Sequence, residues 1–140
     1  MLSGEIPTQL GNLTIMRSLY LNNNELQGKN PSSFGNLINL CQCDLSYNNL
    51  VGPIPPQLGN MGNLNSLRLI NNGLEGGIPY SFTNLSELQE CNLSYSTTIL
   101  LDHHSHKLFE LKMSKTRELL YLVLIWLACV RVCMRRGWVQ

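Results

Sequence analysis

The sequence has 140 residues, which is enough for one domain or one short repeat array. Its formal net charge is only +1, and no nucleic-acid partner is expected. The charge is unevenly divided, because residues 1–101 carry three basic and six acidic groups, whereas residues 102–140 carry seven basic and three acidic groups. The five cysteines include no CxxC pair, so the sequence predicts neither a zinc site nor a disulfide framework, and no cofactor is expected.

A 24-residue repeat occupies the first two thirds of the chain. Full units begin at Leu13, Leu37, Met61 and Leu85, after an initial half unit. The shared pattern is LxxLxxLxLxxNxLxGxIPxxLGN, and its prolines are Pro7, Pro31, Pro55 and Pro79. A fixed period of this length indicates that one small structural unit is stacked on copies of itself.

Each recurring position in the unit has a physical role. The LxL pair, as in Leu19 and Leu21, alternates apolar with polar residues and predicts a short strand with one buried face. Asparagines such as Asn48 stand where the chain leaves the strand, and a buried amide there can bond backbone groups that the turn leaves unpaired. Glycines such as Gly28 allow a backbone conformation that other residues resist. The Ile-Pro step favours an extended path on the outer side.

These residues resemble the plant-type leucine-rich repeat, because the GxIPxxLGNL half unit separates that class from other leucine-rich repeats. The resemblance implies a curved right-handed leucine-rich repeat solenoid over residues 1–95, with about four 24-residue repeats. Short parallel strands would form its concave face, and 3₁₀ or extended segments would form its convex side. The class is typical of the ectodomains of receptor-like kinases and receptor-like proteins, so the resemblance implies the extracellular side of the plasma membrane.

The repeat departs from this pattern at several positions. Asn30 stands where the other units have isoleucine, and a polar group at that inward-leaning site either finds a partner or weakens the unit by about 1–3 kcal/mol. Thr83 replaces a recurring glycine. Cys43 and Cys91 replace core leucines and are interpreted as small hydrophobic core residues rather than reactive thiols. The paired-cysteine caps usual in the family are absent, which predicts exposed apolar edges at the first and last rungs.

The variable residues between the buried leucines form the candidate binding face. Exposed tyrosines bring much contact area at little entropic cost, so they are the favoured contact residues, with a plain solvated surface as the alternative. Asp44 and Arg68 lie on adjacent rungs and are expected to pair, which at a surface contributes under about 1 kcal/mol. The candidate partner-binding residues on the concave face are Tyr20, Asn22, Asp44, Tyr47, Arg68, Ile70 and Tyr95.

Three sequons mark candidate N-glycosylation sites at Asn12, Asn84 and Asn92. Asn12 and Asn84 occupy the same place in the repeat, whereas a glycan on Asn92 would obstruct the concave face. Short sequons also arise by chance in asparagine-rich sequence. No secretory signal is recognised, because Met1 is followed at once by repeat sequence.

The repeat stops in mid-unit after Tyr95, where Ser96 replaces the expected asparagine. Residues 96–106 are predicted to form a polar linker, and their histidines are interpreted as solvated rather than metal-binding. Residues 107–136 contain no helix breaker and predict a helix with an apolar run over residues 119–134. That run is short for a membrane span, but Arg131 could snorkel and the flanking arginines suit a cytoplasmic edge, so a membrane anchor through residues 119–134 is one hypothesis. The alternatives are a helix that covers the open end of the solenoid or an out-of-frame tail without a selected role.

The leading functional hypothesis is a non-catalytic module that binds a protein, a peptide or another leucine-rich repeat ectodomain in cell-surface signalling. Full-length relatives carry Ser/Thr kinase domains, but this chain has no Gly-rich phosphate loop and no VAIK, HRD or DFG sequence, so no kinase activity is expected. Two alternatives remain. One is a soluble decoy fragment that stacks on exposed solenoid ends, and the other is a non-functional truncated gene product.

Overall fold

The fold was obtained as a computed structural model, which describes residues 1–93. Within those residues the chain forms eight short strands and four 3₁₀ helices. The strands are β1 (Ser3–Glu5), β2 (Ser18–Tyr20), β3 (Glu25–Gly28), β4 (Gln42–Asp44), β5 (Asn49–Pro53), β6 (Ser66–Arg68), β7 (Gly73–Glu75) and β8 (Glu90–Asn92). The 3₁₀ helices are η1 (Thr8–Asn12), η2 (Ser32–Asn36), η3 (Pro56–Asn60) and η4 (Tyr80–Asn84). This architecture confirms the predicted leucine-rich repeat solenoid.

The strands form two parallel sheets. The first sheet has the order β2-β4-β6-β8, and its paired residues are 24 positions apart, as in Ser18 with Gln42 and Ser66 with Glu90. We call it the concave sheet, because its strands contain the LxL pairs that the family places on the concave face. Its pairing interval equals the sequence period, so equivalent residues of successive units form straight columns.

The extended segments on the other side of each unit also pair, and this second sheet has the order β1-β3-β5-β7. Its partners are 22 positions apart, as in Ser3 with Glu25 and Val51 with Gly73. The sequence predicts extended chain at these positions but not its pairing. Each of the four segments is followed by a proline and a 3₁₀ helix, and the proline at each helix start is extended, with φ near −63° at Pro7 and Pro55.

The core lies between the sheets and is lined by the recurring apolar positions. Phe34 and Phe82 are fully buried, as are most of the leucines of the central units. Cys43 packs among them, and its burial raises the pKa of its thiol to about 12, which agrees with its interpretation as a core residue. A glycine is required at Gly35, because a Cβ there would lie 2.4 Å from the carbonyl oxygen of Gln57 on the next unit.

The recurring asparagines connect neighbouring units. The Asn48 amide donates to the carbonyl oxygens of Leu21, Leu45 and Ser46 at 2.9, 3.1 and 3.2 Å. Its Oδ1 accepts the backbone N–H of Leu26 at 3.0 Å. The predicted role of these asparagines is therefore confirmed, because one side chain satisfies backbone groups of two units.

Asn30 is the exception among the buried polar side chains. It is 3% exposed, and within residues 1–93 neither its Oδ1 nor its Nδ2 has a hydrogen-bond partner. Of the two outcomes that the sequence left open, the structure shows the one without a partner, for which a lower stability is expected.

Tyr95, the linker over residues 96–106, the helix predicted over residues 107–136 and its apolar run over residues 119–134 lie outside the described residues. Among residues 1–93, no helix has the length and apolar character needed to cross a bilayer.

Candidate interaction surface

Polar side-chain contacts join each pair of neighbouring strands in the concave sheet. On the first rung, the Tyr20 hydroxyl contacts the Oε1 of Gln42, which also lies 3.5 Å from the Ser18 Oγ. On the third and fourth rungs, Ser66 Oγ donates to Glu90 Oε2 at 2.9 Å. Residues two positions apart share a strand face, so these positions lie side by side along the sheet.

Arg68 is the centre of charge on this surface. Its Nε and Nη2 donate to the two carboxylate oxygens of Glu90, each at 3.0 Å. Its Nη1 lies 3.7 Å from Asp44 Oδ2. The predicted pair with Asp44 is present, but it is longer than the bidentate pair with Glu90, so Glu90 is the main partner. The two residues face one another diagonally across adjacent strands, a geometry that the two-residue strand period indicates.

The protonation equilibria of the pair follow from this geometry. The hydrogen bond to Glu90 raises the pKa of Arg68 further above its ordinary value. Hydrogen bonds from Arg68 lower the pKa of the Glu90 carboxyl, and burial opposes that change. Ser66 and the Asn92 amide, which donates to Oε1 at 2.8 Å, stabilise the carboxylate further.

The predicted contact residues differ in their accessibility. Tyr20 and Tyr47 are exposed, at 57% and 51%, whereas Asn22 and Ile70 are half-buried. Asp44 is only 7% exposed, because its Oδ1 accepts from the backbone and hydroxyl of Ser46. A partner can therefore reach the tyrosines and Arg68 directly, whereas it reaches Asp44 only at its edge.

Tyr47 is held in an unusual backbone conformation. Its φ is +56°, in the left-handed region, and the equivalent residues Asn23 and Asn71 have φ values of +57° and +53°. Asparagine tolerates this conformation better than tyrosine does. The backbone of Tyr47 is fixed by its N–H, which donates to Ile70 at 3.0 Å, so the turn of the repeat imposes the conformation on whichever residue stands there.

The three sequons occupy two kinds of surface. Asn12 and Asn84 are the last residues of η1 and η4 and are exposed. Asn92 is exposed on β8 of the concave sheet, where its amide bonds Glu90. Among residues 1–93 no group of three or more histidine, cysteine or acidic side chains is placed to hold a metal ion.

Comparison with known proteins supports the fold-level conclusion. A family profile described as Leucine Rich Repeat matches residues 16–37, 39–61 and 63–85. No curated protein sequence gives a match. The chain therefore belongs to the leucine-rich repeat family, and its structural neighbours identify the plant type.

Three solved structures illustrate that similarity. The structure of PEPR1-AtPEP1 is 41% identical with a TM-score of 0.64, over 66% of this chain and 14% of that one. The Arabidopsis receptor kinase HAESA, with the peptide hormone IDA and the co-receptor SERK1, is 39% identical with a TM-score of 0.63, over 65% and 16%. A plant ice-binding protein is 32% identical with a TM-score of 0.63, over 66% and 30%. The chain thus spans less than a third of each of these proteins.

Proposed function

We propose that the chain is a non-catalytic interaction module that binds a peptide or protein partner through its concave sheet. The observation that carries this proposal is the arrangement of accessible, variable side chains in columns on a fixed 24-residue register. The leucine core holds the strands rigidly, so a partner meets preorganised side chains and loses little affinity to their ordering. Two exposed tyrosines and a partly exposed arginine are residue types that often dominate binding energy.

The structural neighbours favour a partner of peptide or ectodomain type. The HAESA structure contains both a peptide hormone and a co-receptor, and the PEPR1 structure is that of PEPR1-AtPEP1. By analogy, the partner of this chain is a peptide or another leucine-rich repeat ectodomain. The corresponding location is the outer side of the plasma membrane, with Asn12, Asn84 and Asn92 as N-glycosylation sites. The kinase motifs that full-length relatives carry are absent from this sequence, which supports a binding role.

The experiment is a peptide-display selection on the purified chain, followed by binding measurements on variants. We expect enriched peptides to bind the Tyr20→Ala and Arg68→Ala variants about tenfold or more weakly than the original chain. Tyr80→Ala is the matched control, because Tyr80 is 62% exposed but lies on η4, away from the concave sheet. Equal losses in all three variants, or no loss in the concave ones, would show that peptides do not use this sheet.

A second candidate function, ice binding, is favoured by one column of side chains. Asn12, Asn36, Asn60 and Asn84 end the four 3₁₀ helices, and all are exposed. Among residues 1–93 their side-chain amides make no hydrogen bond to protein. A regular row of amides can hold ordered water, because each amide both donates and accepts. A plant ice-binding protein is among the structural neighbours of this chain.

Ice recrystallisation assays distinguish the two functions. If the asparagine column binds ice, the purified chain slows crystal growth, and the double replacement of Asn36 and Asn60 by alanine abolishes the effect. The Tyr20→Ala variant is the control, because it alters the concave sheet alone. An unchanged crystal size with the original chain would reject ice binding and leave the interaction module unaffected.

A further inference from the structure

The side chain of Asn72 connects the third full unit of the repeat to the second. Its Nδ2 donates to the carbonyl oxygen of Leu45 on the second unit at 2.9 Å, and to those of Leu69 and Ile70 in its own unit at 3.1 and 3.3 Å. Its Oδ1 accepts the backbone N–H of Leu50 at 3.0 Å. The site therefore requires a neutral amide, because a carboxylate accepts hydrogen bonds but donates none.

The residue that follows this asparagine differs from its counterparts. Asn72 is followed by a glycine, and the sequence contains one such Asn-Gly pair. The equivalent asparagines of the first and second full units, Asn24 and Asn48, are followed by Glu25 and Asn49. A glycine has no Cβ to shield its backbone nitrogen, so an asparagine side chain in front of it is open to attack by that nitrogen.

The fold does not explain why a glycine stands here. Gly73 begins β7 and pairs with Val51. Its backbone lies outside the left-handed region in which Gly52 and Gly76 lie. A Cβ at Gly73 would be 3.3 Å from the carbonyl oxygen of Leu50 and from the Val51 Cγ1, which is a close contact but not a clash. The glycine thus changes the reactivity of the residue before it more than the path of the chain.

We propose that Asn72 and Gly73 form a self-modification site, at which local opening of the third unit leads to irreversible conversion of Asn72 into aspartate or isoaspartate. The reaction uses groups of this chain and water. It is independent of the binding proposed for the concave sheet, because the bonds that it breaks lie between the second and third units rather than on the exposed face.

The reaction is a deamidation with a balanced course. The backbone nitrogen of Gly73 attacks the Cγ of Asn72, so that a bond from nitrogen to Cγ forms and the bond from Cγ to Nδ2 breaks. The amide proton of Gly73 leaves with the Nδ2 group as ammonia, and a cyclic imide remains. Water then opens the imide. Opening at Cγ gives aspartate in an unchanged main chain, and opening at the backbone carbonyl carbon gives isoaspartate.

The folded unit restrains this attack. The carbonyl groups of Leu69 and Ile70 belong to residues before Asn72, so the bonds to them hold the side chain over the preceding turn, whereas Gly73 lies after it. The side chain must leave these carbonyls, and that of Leu45, before its Cγ can meet the Gly73 nitrogen. Local opening of the unit provides this freedom, so the reaction rate follows the population of the opened state.

Neither product restores the original contacts. A carboxylate in place of the amide turns a negatively charged oxygen toward the carbonyl oxygens of Leu45, Leu69 and Ile70, where the amide had donated. Isoaspartate also adds a carbon atom to the main chain, which shifts Gly73 out of register with Val51. A converted unit therefore packs less tightly on the unit before it.

Peptide mapping by mass spectrometry tests the conversion. The full 140-residue chain is incubated in mildly alkaline buffer, with and without guanidinium chloride, and the peptide that contains Asn72 is followed. We expect conversion of Asn72 in the denaturant, and conversion that is slower by about tenfold or more in the folded chain, because only its opened fraction reacts. Equal rates would overturn the role of opening, and an unconverted Asn72 in the denaturant would overturn the site.

Gly73→Asn is the matched variant, because it recreates the pair formed by Asn48 and Asn49 and leaves Asn72 in place. We expect this variant to lose the conversion of Asn72 over the incubation that converts the original chain. The comparison is made in guanidinium chloride, so it does not depend on whether the variant folds. Conversion of Asn72 at the original rate would contradict the role assigned to the glycine.

The consequence for stability is measured separately. Ion exchange isolates the converted chains by their added negative charge, and we expect their thermal unfolding midpoint to be lower by about 4 °C or more. Asn72→Asp should lower the midpoint as well, whereas Asn71→Asp makes the same charge change at an exposed neighbour and should leave it nearly unchanged. Equal midpoints for these two variants would show that a carboxylate fits the site, and would overturn the proposal that conversion loosens the unit.

Discussion

At the scale of single residues, Asn30 is the clearest conflict between the sequence and its own fold. The column to which it belongs contains Ile6 and Ile54, which are 4% and 3% exposed. The repeat therefore places Asn30 in an apolar site, and its amide loses bonds to water without gaining bonds to protein.

Replacing Asn30 by isoleucine should stabilise the chain by about 1–3 kcal/mol, because the change removes two unpaired buried polar atoms and restores the column. Urea unfolding followed by circular dichroism measures the difference. Asn36→Ile is a control at an exposed position and should change stability by less than about 0.5 kcal/mol. A lower stability of Asn30→Ile would mean that the site does not accommodate the larger side chain.

At the scale of secondary-structure elements, the asparagines and the charged column show two different ways of joining strands. The asparagine amides bond buried backbone and hold the turn of each unit to its neighbour. The Arg68–Glu90 pair instead lies on the solvent side of β6 and β8 and links their exposed side chains. The asparagine amides are therefore structural contacts inside the repeat, whereas the Arg68–Glu90 pair is accessible to partners and to solvent protons.

Replacing Asn48 by alanine should destabilise the chain by about 1–3 kcal/mol, because the buried N–H of Leu26 loses its acceptor and three carbonyls each lose one of their donors. The neighbouring Asn49 is exposed, so Asn49→Ala is a matched control with an expected effect below about 0.5 kcal/mol. Thermal unfolding compares the two variants. Similar midpoints would indicate that the amide of Asn48 contributes no more than a surface residue.

The contribution of Glu90 should depend on pH. Its folded-state pKa is lowered from the ordinary value of 4.5, so its stabilising effect is present above that value and is lost as the pH falls through the lower folded-state pKa. We expect Glu90→Gln to lower the unfolding midpoint at pH 7 and to have a progressively smaller effect as the pH is lowered below 4.5. Glu87→Gln, a change at an exposed position of the same unit, provides the comparison. A difference between Glu90→Gln and the original chain that does not change with pH would contradict this account.

At the scale of the whole molecule, stability depends on the number of neighbours that each rung has. An inner unit of a solenoid is covered on both sides, whereas a first unit is covered on one side only. Leu45 is 1% exposed in its inner unit, whereas Leu21, directly after β2, is half-buried. The backbone N–H groups of both residues donate to a carbonyl of the next rung at 2.9 Å. The two residues therefore differ in the burial of their side chains and not in the length of this hydrogen bond.

Hydrogen exchange should therefore separate these two amides. We expect the Leu45 N–H to exchange about tenfold or more slowly than the Leu21 N–H, because opening of the first rung exposes Leu21 without disturbing the inner units. Exchange measured by NMR on the labelled chain gives both rates in one experiment. Equal rates would show that residues 1–93 open as one cooperative unit.

Much of the fold could be predicted from the sequence, because the physical causes repeat along it. The period of 24 residues determined the stacking of units, the LxL pairs determined the strands of the concave sheet, and the glycine position determined the positive φ observed at Gly28 and Gly52. The position of Asn48 in the turn is enough to predict its bonding role. Each of these features is local to one unit, so each appears in the sequence once per period.

Other features were decided only by contacts between units. The second sheet forms with partners 22 rather than 24 residues apart, an offset that depends on how the extended segments meet across rungs. Glu90 forms a bidentate pair with Arg68, whereas Asp44 accepts a hydrogen bond from Ser46 and is buried. Such choices depend on which side chains face one another once the strands are aligned. The sequence by itself therefore determined the solenoid and its core, and the tertiary structure decided which residues of its surface remain accessible to a partner.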